Sequence, residues 1–513
     1  MAYRALGTTV VLAIAVAATV ITFPTAQAST TTSAPTTASA PTSAAATASA
    51  PSEGTAPAPA PRRDDFNGDG YPDLAFTAPG ATVGGKAGAG YVAVVYGSED
   101  GLRTSTKQVF TQDSPGIPDT AEADDAFGGS TVSADLDQDG YSDLVVGAGN
   151  EKIGSAASAG SLTVIWGGPQ GLSGGATLLN GEEPYDGVGG KTAVGDFDGD
   201  GAPDLATLGT SDIHVLSGPF TRDGGAAAPV REIRDTDDLR YLDVTAGDLN
   251  GDGRDDLAGV VHDGDEYDAR RILVRDGGAT GLSDDYTVVN GANGLRLQGG
   301  ETITAGQING DAYADLVVGR PVDGYDSDLD TPLAKGGMIT YVPGSATGPR
   351  GDRARVLNQD SAGVPGVAEA SDWFGASVSI GDMNGDGYGD VAVGVPHEDL
   401  GTTKNAGSVL VLPGTASGPT GTGTVGFHQD TADVPGVAEA DDEFGGAARL
   451  VDADRDGRAE LAVGAPGENA DAGSLWIFPT TASGVTAKGS FTFGHGTLGT
   501  VATEARLGSS FNR

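Results

Sequence analysis

The sequence predicts an all-β fold, a seven-bladed β-propeller of four-stranded blades, and three observations predict it. One ten-residue acidic loop recurs seven times, short apolar runs flank every copy, and large side chains are scarce. Aromatics make up 6% of the 513 residues while glycines number 84, a composition that favours short strands and tight turns over thick helices.

The loop reads DFNGDGYPDL at 65, DLDQDGYSDL at 135, DFDGDGAPDL at 196, DLNGDGRDDL at 248, QINGDAYADL at 307, DMNGDGYGDV at 382 and DADRDGRAEL at 452. Successive copies start 70, 61, 52, 59, 75 and 70 residues apart, a regularity that marks an internal repeat. A short run rich in Val and Ala follows each loop, as in DLVVGAG or DVAVGVP. A second run follows a Gly-rich stretch, as in YVAVVYG at 91 and SVLVLPG at 408, and a third lies further on, as in KQVFTQ at 107. A fourth precedes every loop but the first, as in FGGSTVSA at 127 and FGASVSIG at 374. Four short strands per period, bounded by Gly, Pro and Asp turns, describe one blade. A lone sheet of this size would leave both faces wet, so the repeats pack radially against one another, a geometry that these long periods favour over a linear β-solenoid.

The first loop has no strand before it, and the sequence finishes ARLGSSFNR, where LGSS at 507 repeats the pattern of FGGS at 127 with no loop behind it. Residues 505–513 are therefore expected to complete the blade that begins at Asp65, closing the ring and covering a sheet edge.

Ahead of the repeats, Arg4, an apolar run from Leu6 to Ile21 and Ala26-Gln27-Ala28 form the pattern of a secretory signal peptide over residues 1–28, cleaved before Ser29. Residues 29–61 are almost wholly Ser, Thr, Ala and Pro. Such a segment buries too little apolar surface to fold and reads as a disordered linker, which leaves residues 62–513 for the propeller. There are no cysteines, so no disulfide, thiolate metal site or cysteine-linked lipid is available. The net charge of −42 repels phosphate, which excludes nucleic acid and disfavours anionic membrane as partners. Cations are the natural counterweight.

Asp or Asn at alternate loop positions with Gly at position 6 is the arrangement that gathers hard oxygens around calcium. The expected ligands are Asp65, Asn67, Asp69, Tyr71 and Asp73 in the first loop, and Asp135, Asp137, Asp139, Tyr141 and Asp143 in the second. Asp196, Asp198, Asp200, Ala202 and Asp204 serve the third, and Asp248, Asn250, Asp252, Arg254 and Asp256 the fourth. Asp382, Asn384, Asp386, Tyr388 and Asp390 serve the sixth, and Asp452, Asp454, Asp456, Arg458 and Glu460 the seventh. The residue at position 7 contributes its carbonyl only. The fifth loop, 307–315, has Gln307 for the first Asp and Ala312 for the Gly, so about six calcium ions are expected and this loop is degenerate. Turns favour Asp, Asn and Gly in any case, but the full spacing recurs too often for that alone. An EF-hand is excluded, since position 12 holds Phe76, Val146, Thr207 or Gly259 in place of Glu.

The segments FGGS at 127, FGAS at 374 and FGGA at 444, each followed by such a loop and then by GAG, GVP or GAP, resemble the FG-GAP repeat of integrin α-subunits and of many secreted bacterial proteins. The resemblance covers about residues 64–513. It implies a seven-bladed propeller with calcium in the loops between the first two strands of a blade. The blades around 196, 248 and 307 depart from it, with VGG, YLD and GGE for the Phe-Gly pair.

The five histidines fall at different phases of different repeats, and no strand-GxSxG-helix context for a nucleophilic serine occurs. A catalytic role is therefore not expected. The sequence reads as a secreted, extracellular, monomeric binding or adhesion module for a protein or glycan ligand, without stable membrane insertion, with Trp373 and His397 as candidate ligand-binding residues on its loops. The alternative is an extracellular hydrolase of ester or phosphodiester bonds with a site on the loop face or in the central channel.

Overall fold

A computed structural model describes residues 64–513 apart from 211, 235–238, 264–268 and 327–328. The expected leader and linker lie outside the described residues. The described chain is a seven-bladed β-propeller of antiparallel sheets with almost no helix. Blade 2 shows the plan, with strands Ser130–Ala134, Asp143–Ala148, Ser161–Ile165 and Gly175–Asn180 hydrogen-bonded in chain order. Blades 3 to 7 repeat it, each with a four-stranded sheet.

The middle strands of each blade are largely apolar because both of their faces are buried. Leu74, Phe76, Tyr91 and Val95 of blade 1 join Leu475, Phe493 and Leu507 in a core against blade 7, while Ala75, Val92 and Val94 join Phe127, Leu144 and Val146 in a core against blade 2. Alternate residues of one strand thus serve two different seams, as a period of two requires. The same arrangement recurs between blades 5 and 6, where Ile339 and Tyr341 meet Phe374 and Val393.

The seams also explain the Phe-Gly pair. Phe127, Phe374 and Phe444 are buried, and the glycine that follows each takes φ near +90°, a conformation that only Gly adopts without strain. For Gly375 and Gly445 the carbonyl lies against a glycine in the second strand of the preceding blade, whereas Gly128 lies against Thr77. A methyl on Gly394 would stand 2.0 Å from the Gly445 oxygen, and one on Gly319 2.1 Å from the Gly375 oxygen. Val188-Gly189 occupies this seat in blade 3 without a Phe, with the Gly189 oxygen 1.9 Å from a methyl placed on Gly147.

On the face opposite the acidic loops, the long connections between blades are tied to the hairpin of the blade they enter. Gln112 donates through Nε2 to Glu151, Gln359 to Glu398 and Gln429 to Glu468.

Blade 1 has three strands of its own, Leu74–Ala78, Tyr91–Tyr96 and Arg103–Phe110. Residues 508–513 supply the missing edge. Gly508 N–H donates to the Thr77 carbonyl at 2.9 Å, Thr77 N–H to Ser510 at 3.1 Å and Asn512 N–H to Ala75 at 3.1 Å. Leu507-Gly508 meanwhile takes the Phe-Gly seat against Gly464 of blade 7, at 2.0 Å. The segment then crosses the central cavity, of about 620 Å³, where the Arg513 guanidinium grips the buried Asp243 of blade 4 through two bonds of 2.7 and 2.8 Å. Burial opposes the charge on Asp243, but Arg513 and Lys191 outweigh it and hold the carboxyl below its usual range.

Deleting residues 505–513 removes these backbone bonds, each contributing about 1 kcal/mol, and the buried Leu507 and Phe511, about 2 kcal/mol each. The truncated chain is expected to melt about 10 °C lower. An unchanged melting curve by circular dichroism would remove the closure from the account.

Candidate metal centre

Six acidic loops join the first and second strands of a blade, the one at 65 leads directly into Leu74–Ala78, and each is built from its own carboxylates outward. Position 9 is the deepest. Asp73, Asp143, Asp204, Asp256, Asp315 and Asp390 are all at most 1% exposed. Each accepts two backbone N–H bonds, one from position 2 of its own loop and one from a glycine beyond the third strand. For Asp73 the donors are Phe66 at 2.8 Å and Gly97 at 2.9 Å. For Asp390 they are Met383 and Gly414, both at 2.7 Å. Glu460, one methylene longer, accepts from Ala453 at 3.0 Å and from the Thr480 hydroxyl at 2.9 Å. Position 9 therefore ties the loop to the far end of the blade.

The remaining acids shape the turn. The position 1 carboxylate receives the N–H of the position 6 glycine, as Gly201 to Asp196 at 2.9 Å and Gly387 to Asp382 at 2.8 Å. Position 3 accepts from the N–H of position 5, and position 5 from that of position 7, as Asp252 to Asn250 at 2.9 Å and Arg254 to Asp252 at 3.0 Å. Gly70, Gly140, Gly201, Gly253, Gly387 and Gly457 all have positive φ.

This geometry brings positions 1, 3 and 9 together. In three loops the carboxylate oxygens of these positions lie within 4.8 Å of one another, as Asp135, Asp137 and Asp143, as Asp196, Asp198 and Asp204, and as Asp452, Asp454 and Glu460. Asp137 Oδ1 and Asp452 Oδ1 are buried and have no hydrogen-bond partner among the described residues. Carboxylate oxygens held close and unpaired in this way fit a divalent cation. In the first, fourth and sixth loops position 3 is Asn, so an amide oxygen stands in place of one carboxylate. Position 5 stands outside these groups and meets arginines instead, Asp139 with Arg222, Asp252 with Arg254 at 3.5 Å and Asp456 with Arg458.

Two loops differ in a way that sequence reasoning missed. Arg222, from the third-to-fourth connection of blade 3, reaches both Asp137 and Asp139 of blade 2 and stacks over Trp166 at 5.2 Å. It lies 85 residues beyond Asp137, and no local pattern announces the pairing. In the fifth loop Gln307 Oε1 accepts from Gly310 N–H at 2.9 Å, while its Nε2 donates to the Asp311 carbonyl and, at 3.1 Å, to the Tyr313 carbonyl. Its amide thus takes up the position 7 carbonyl. Asp315 keeps its two backbone bonds there, to Ile308 at 3.1 Å and Gly344 at 3.0 Å.

Burial, reinforced by neighbouring acids and opposed by these N–H bonds, pushes position 9 upward. Asp73 rises to about 8, Asp143 and Asp256 to about 7, Asp204 and Asp390 to about 6, and Glu460 to about 7. A bound cation acts in the opposite direction, since it favours the ionised form.

The two candidate ligand-binding residues come together. Trp373 stacks on His397 with ring centroids 3.7 Å apart and an interplanar angle of 21°, and Trp373 is 39% exposed. Its φ of +66° belongs to the repeat, because Ala126, Glu443 and Arg506, each just before the Phe-Gly seat, share it. Trp166 and Trp476 are core residues.

Residues 64–95, 127–165, 374–412 and 444–478 match the FG-GAP repeat. The phosphatidylinositol-glycan-specific phospholipase D of Rattus norvegicus is 31% identical over 163 residues, covering 31% of this chain and 18% of that protein. Integrin alpha pat-2 of Caenorhabditis briggsae is 29% identical over 233 residues, covering 42% of this chain and 18% of its own length. The chain thus spans less than a fifth of these curated relatives. Among solved structures, an Agrocybe aegerita lectin described as recognising non-reducing terminal N-acetylglucosamine covers 70% of this chain and 79% of its own at 15% identity and a TM-score of 0.36, too distant to bear on ligands. The chain carries FG-GAP repeats in four places, and integrin alpha chains and phosphatidylinositol-glycan-specific phospholipase D are among the proteins it is similar to.

Proposed function

We propose that this chain is a secreted, extracellular binding or adhesion module whose propeller is stabilised by calcium and whose ligand is a protein or glycan. The observation that carries the calcium reading is the contrast between loops. Where the acids at positions 1, 3 and 9 are intact, oxygens converge without hydrogen-bond donors to satisfy them all, and where Asp is replaced, the Gln307 amide donates to the loop carbonyls instead. Calcium takes six to eight hard oxygens, and six loops of this chain keep Asp at position 1, Asp or Asn at position 3 and an acid at position 9.

The binding reading rests on the relation to integrin alpha chains and on the face opposite the loops. Val367 and Val437, on the connections into blades 6 and 7, are each 68% exposed, and the first of these connections also carries the stacked Trp373. Apolar side chains on connections carried by a rigid ring are suited to partner contact. Among the described residues no helix is long and apolar enough to cross a membrane.

Pull-down from culture supernatant and cell wall material with and without calcium tests the proposal. Capture of a ligand by the full chain, weakened at least tenfold by Trp373→Ala at an unchanged melting temperature, is the expected result; equal capture by the variant would remove this face from the site.

Position 9 and position 3 are expected to separate in stability measurements. Asp315→Ala leaves two buried N–H groups unpaired, at about 1–3 kcal/mol each, and is expected to lower the melting temperature equally with calcium and with chelator. Asp198→Ala is expected to lower it mainly in calcium. Differential scanning fluorimetry under both conditions would show the reverse order if the assignment were wrong.

The raised carboxyls give a pH dependence. Without calcium the folded chain holds protons at position 9 that the unfolded chain has released, so stability falls as pH rises from about 4 towards 8. Calcium requires the ionised acids, so its stabilisation grows over the same range. Melting in chelator that is flat between about pH 5 and 8, or a calcium effect larger at about pH 5, would contradict this.

A further inference from the structure

The seam between blades 2 and 3 holds a second group of metal-type side chains, on the face away from the acidic loops. Asp186 belongs to the connection into blade 3, and Asp212 and His214 to the third strand of that blade, Asp212–Leu216. One ligand atom from each lies within 4.8 Å of the others. Asp212 and His214 are two residues apart on one strand and therefore share a face.

The three atoms point into one space. A methyl on Gly209 would meet Asp212 Oδ1 at 2.3 Å, Asp186 Oδ1 at 3.1 Å and His214 Nε2 at 3.1 Å. Each carboxylate turns its other oxygen outward, Asp186 Oδ2 accepting from Glu182 N–H at 3.3 Å and Asp212 Oδ2 lying 3.4 Å from Arg234 Nε. His214 is 6% exposed and Asp212 9%, yet neither His214 Nε2 nor Asp212 Oδ1 has a hydrogen-bond partner among the described residues. They stand 3.3 Å apart, which matches the edge of about 3.3 Å that a tetrahedron with bonds of about 2.0–2.1 Å would have.

In blades 2, 6 and 7 the incoming connection is tied to the hairpin by a Gln–Glu hydrogen bond. At blade 3 the Thr210 hydroxyl of the hairpin bonds the Asp186 carbonyl at 3.1 Å and that of Tyr185, and two carboxylates and an imidazole gather beside this tie, where two anionic groups cannot bond directly to each other.

We propose that Asp186, Asp212 and His214 bind one divalent first-row transition ion of the zinc class, which pins the 181–191 connection to blade 3. Imidazole with two carboxylates suits such an ion, whereas calcium takes oxygen alone in larger number. The two carboxylates balance its charge, and a fourth coordination position is left for water or a ligand group.

The test uses the full chain with calcium at saturation, so that the acidic loops are filled. Isothermal titration with Zn2+ is expected to show one equivalent, and Co2+ to give the intense visible absorption of a tetrahedral N/O site. His214→Ala and Asp186→Asn are each expected to weaken binding by about a hundredfold or more, beyond what loss of an outer-shell partner costs, while His428→Ala leaves it unchanged. Asp186→Asn lies outside the strands and keeps the test informative if His214→Ala fails to fold. Gly209→Ala, which keeps every ligand and fills the space between them, is expected to abolish binding as well. No Zn2+ equivalent in calcium-loaded protein, or binding retained by both Asp186→Asn and Gly209→Ala, would overturn the proposal and leave the group as a His–Asp ion pair.

Discussion

The buried carboxylate at position 9 is the constraint on which each blade depends. It sits where the loop between the first two strands meets the end of the third, and its two oxygens hold one backbone N–H from each side. Removing it would leave two donors without partners in a site that admits no water-facing alternative. The same carboxylate anchors the loop so that positions 1 and 3 face it. The metal-type geometry is thus a consequence of a hydrogen-bonding requirement that exists whether or not an ion is bound. The fifth loop makes the separation visible, since Asp315 keeps both bonds after the acid at position 1 has been lost.

A second constraint governs how blades meet. The Phe-Gly seat brings two backbones to within the distance of a missing methyl, and positive φ occurs both at its glycine and at the residue that precedes the Phe. Interfaces of this kind tolerate little change in volume. They also make the ring's closure continuous with the rest of the fold, because Leu507-Gly508 uses the same seat against blade 7 while Ser510 and Asn512 pair with blade 1. One short segment therefore satisfies two seams, and Arg513 adds a third attachment across the cavity.

Much of this was legible in the sequence because it is periodic. Seven loops, four strands per period and the resemblance of LGSS to FGGS led to the ring and its closure, since local spacing determines each turn and period-two burial determines each strand. The identity of the loop acids was equally legible, but their division of labour was not. The partners of position 9 lie 24 residues further on, at Gly97 or Gly414, and a glycine N–H leaves no mark in a sequence. Arg222 was hidden for a related reason, as its target belongs to the neighbouring blade. Asp186 and His214 come from different elements of a single blade with no repeat equivalents, so periodicity could not draw attention to them. Trp373 and His397 were singled out separately, and only the fold shows that they stack.

The charge of −42 acquires a structural meaning from these placements. Acids are concentrated at the turns and seams, where they lie close to one another and several are buried, so the chain's self-repulsion is local rather than spread over its surface. Each such place has its own compensation. Backbone N–H groups serve position 9, an arginine from the next blade serves the second loop, an amide serves the fifth, and a glutamine serves each long connection. The places where protein donors run short are the intact loops and the seam at His214. A cation bound at those places, as proposed for calcium and for the zinc-class ion, differs from an arginine or an amide in being supplied by the surroundings. On that proposal the rigidity of the loops, and of the connection into blade 3, follows the ion content of the medium, whereas the strands and the Phe-Gly seats between them do not.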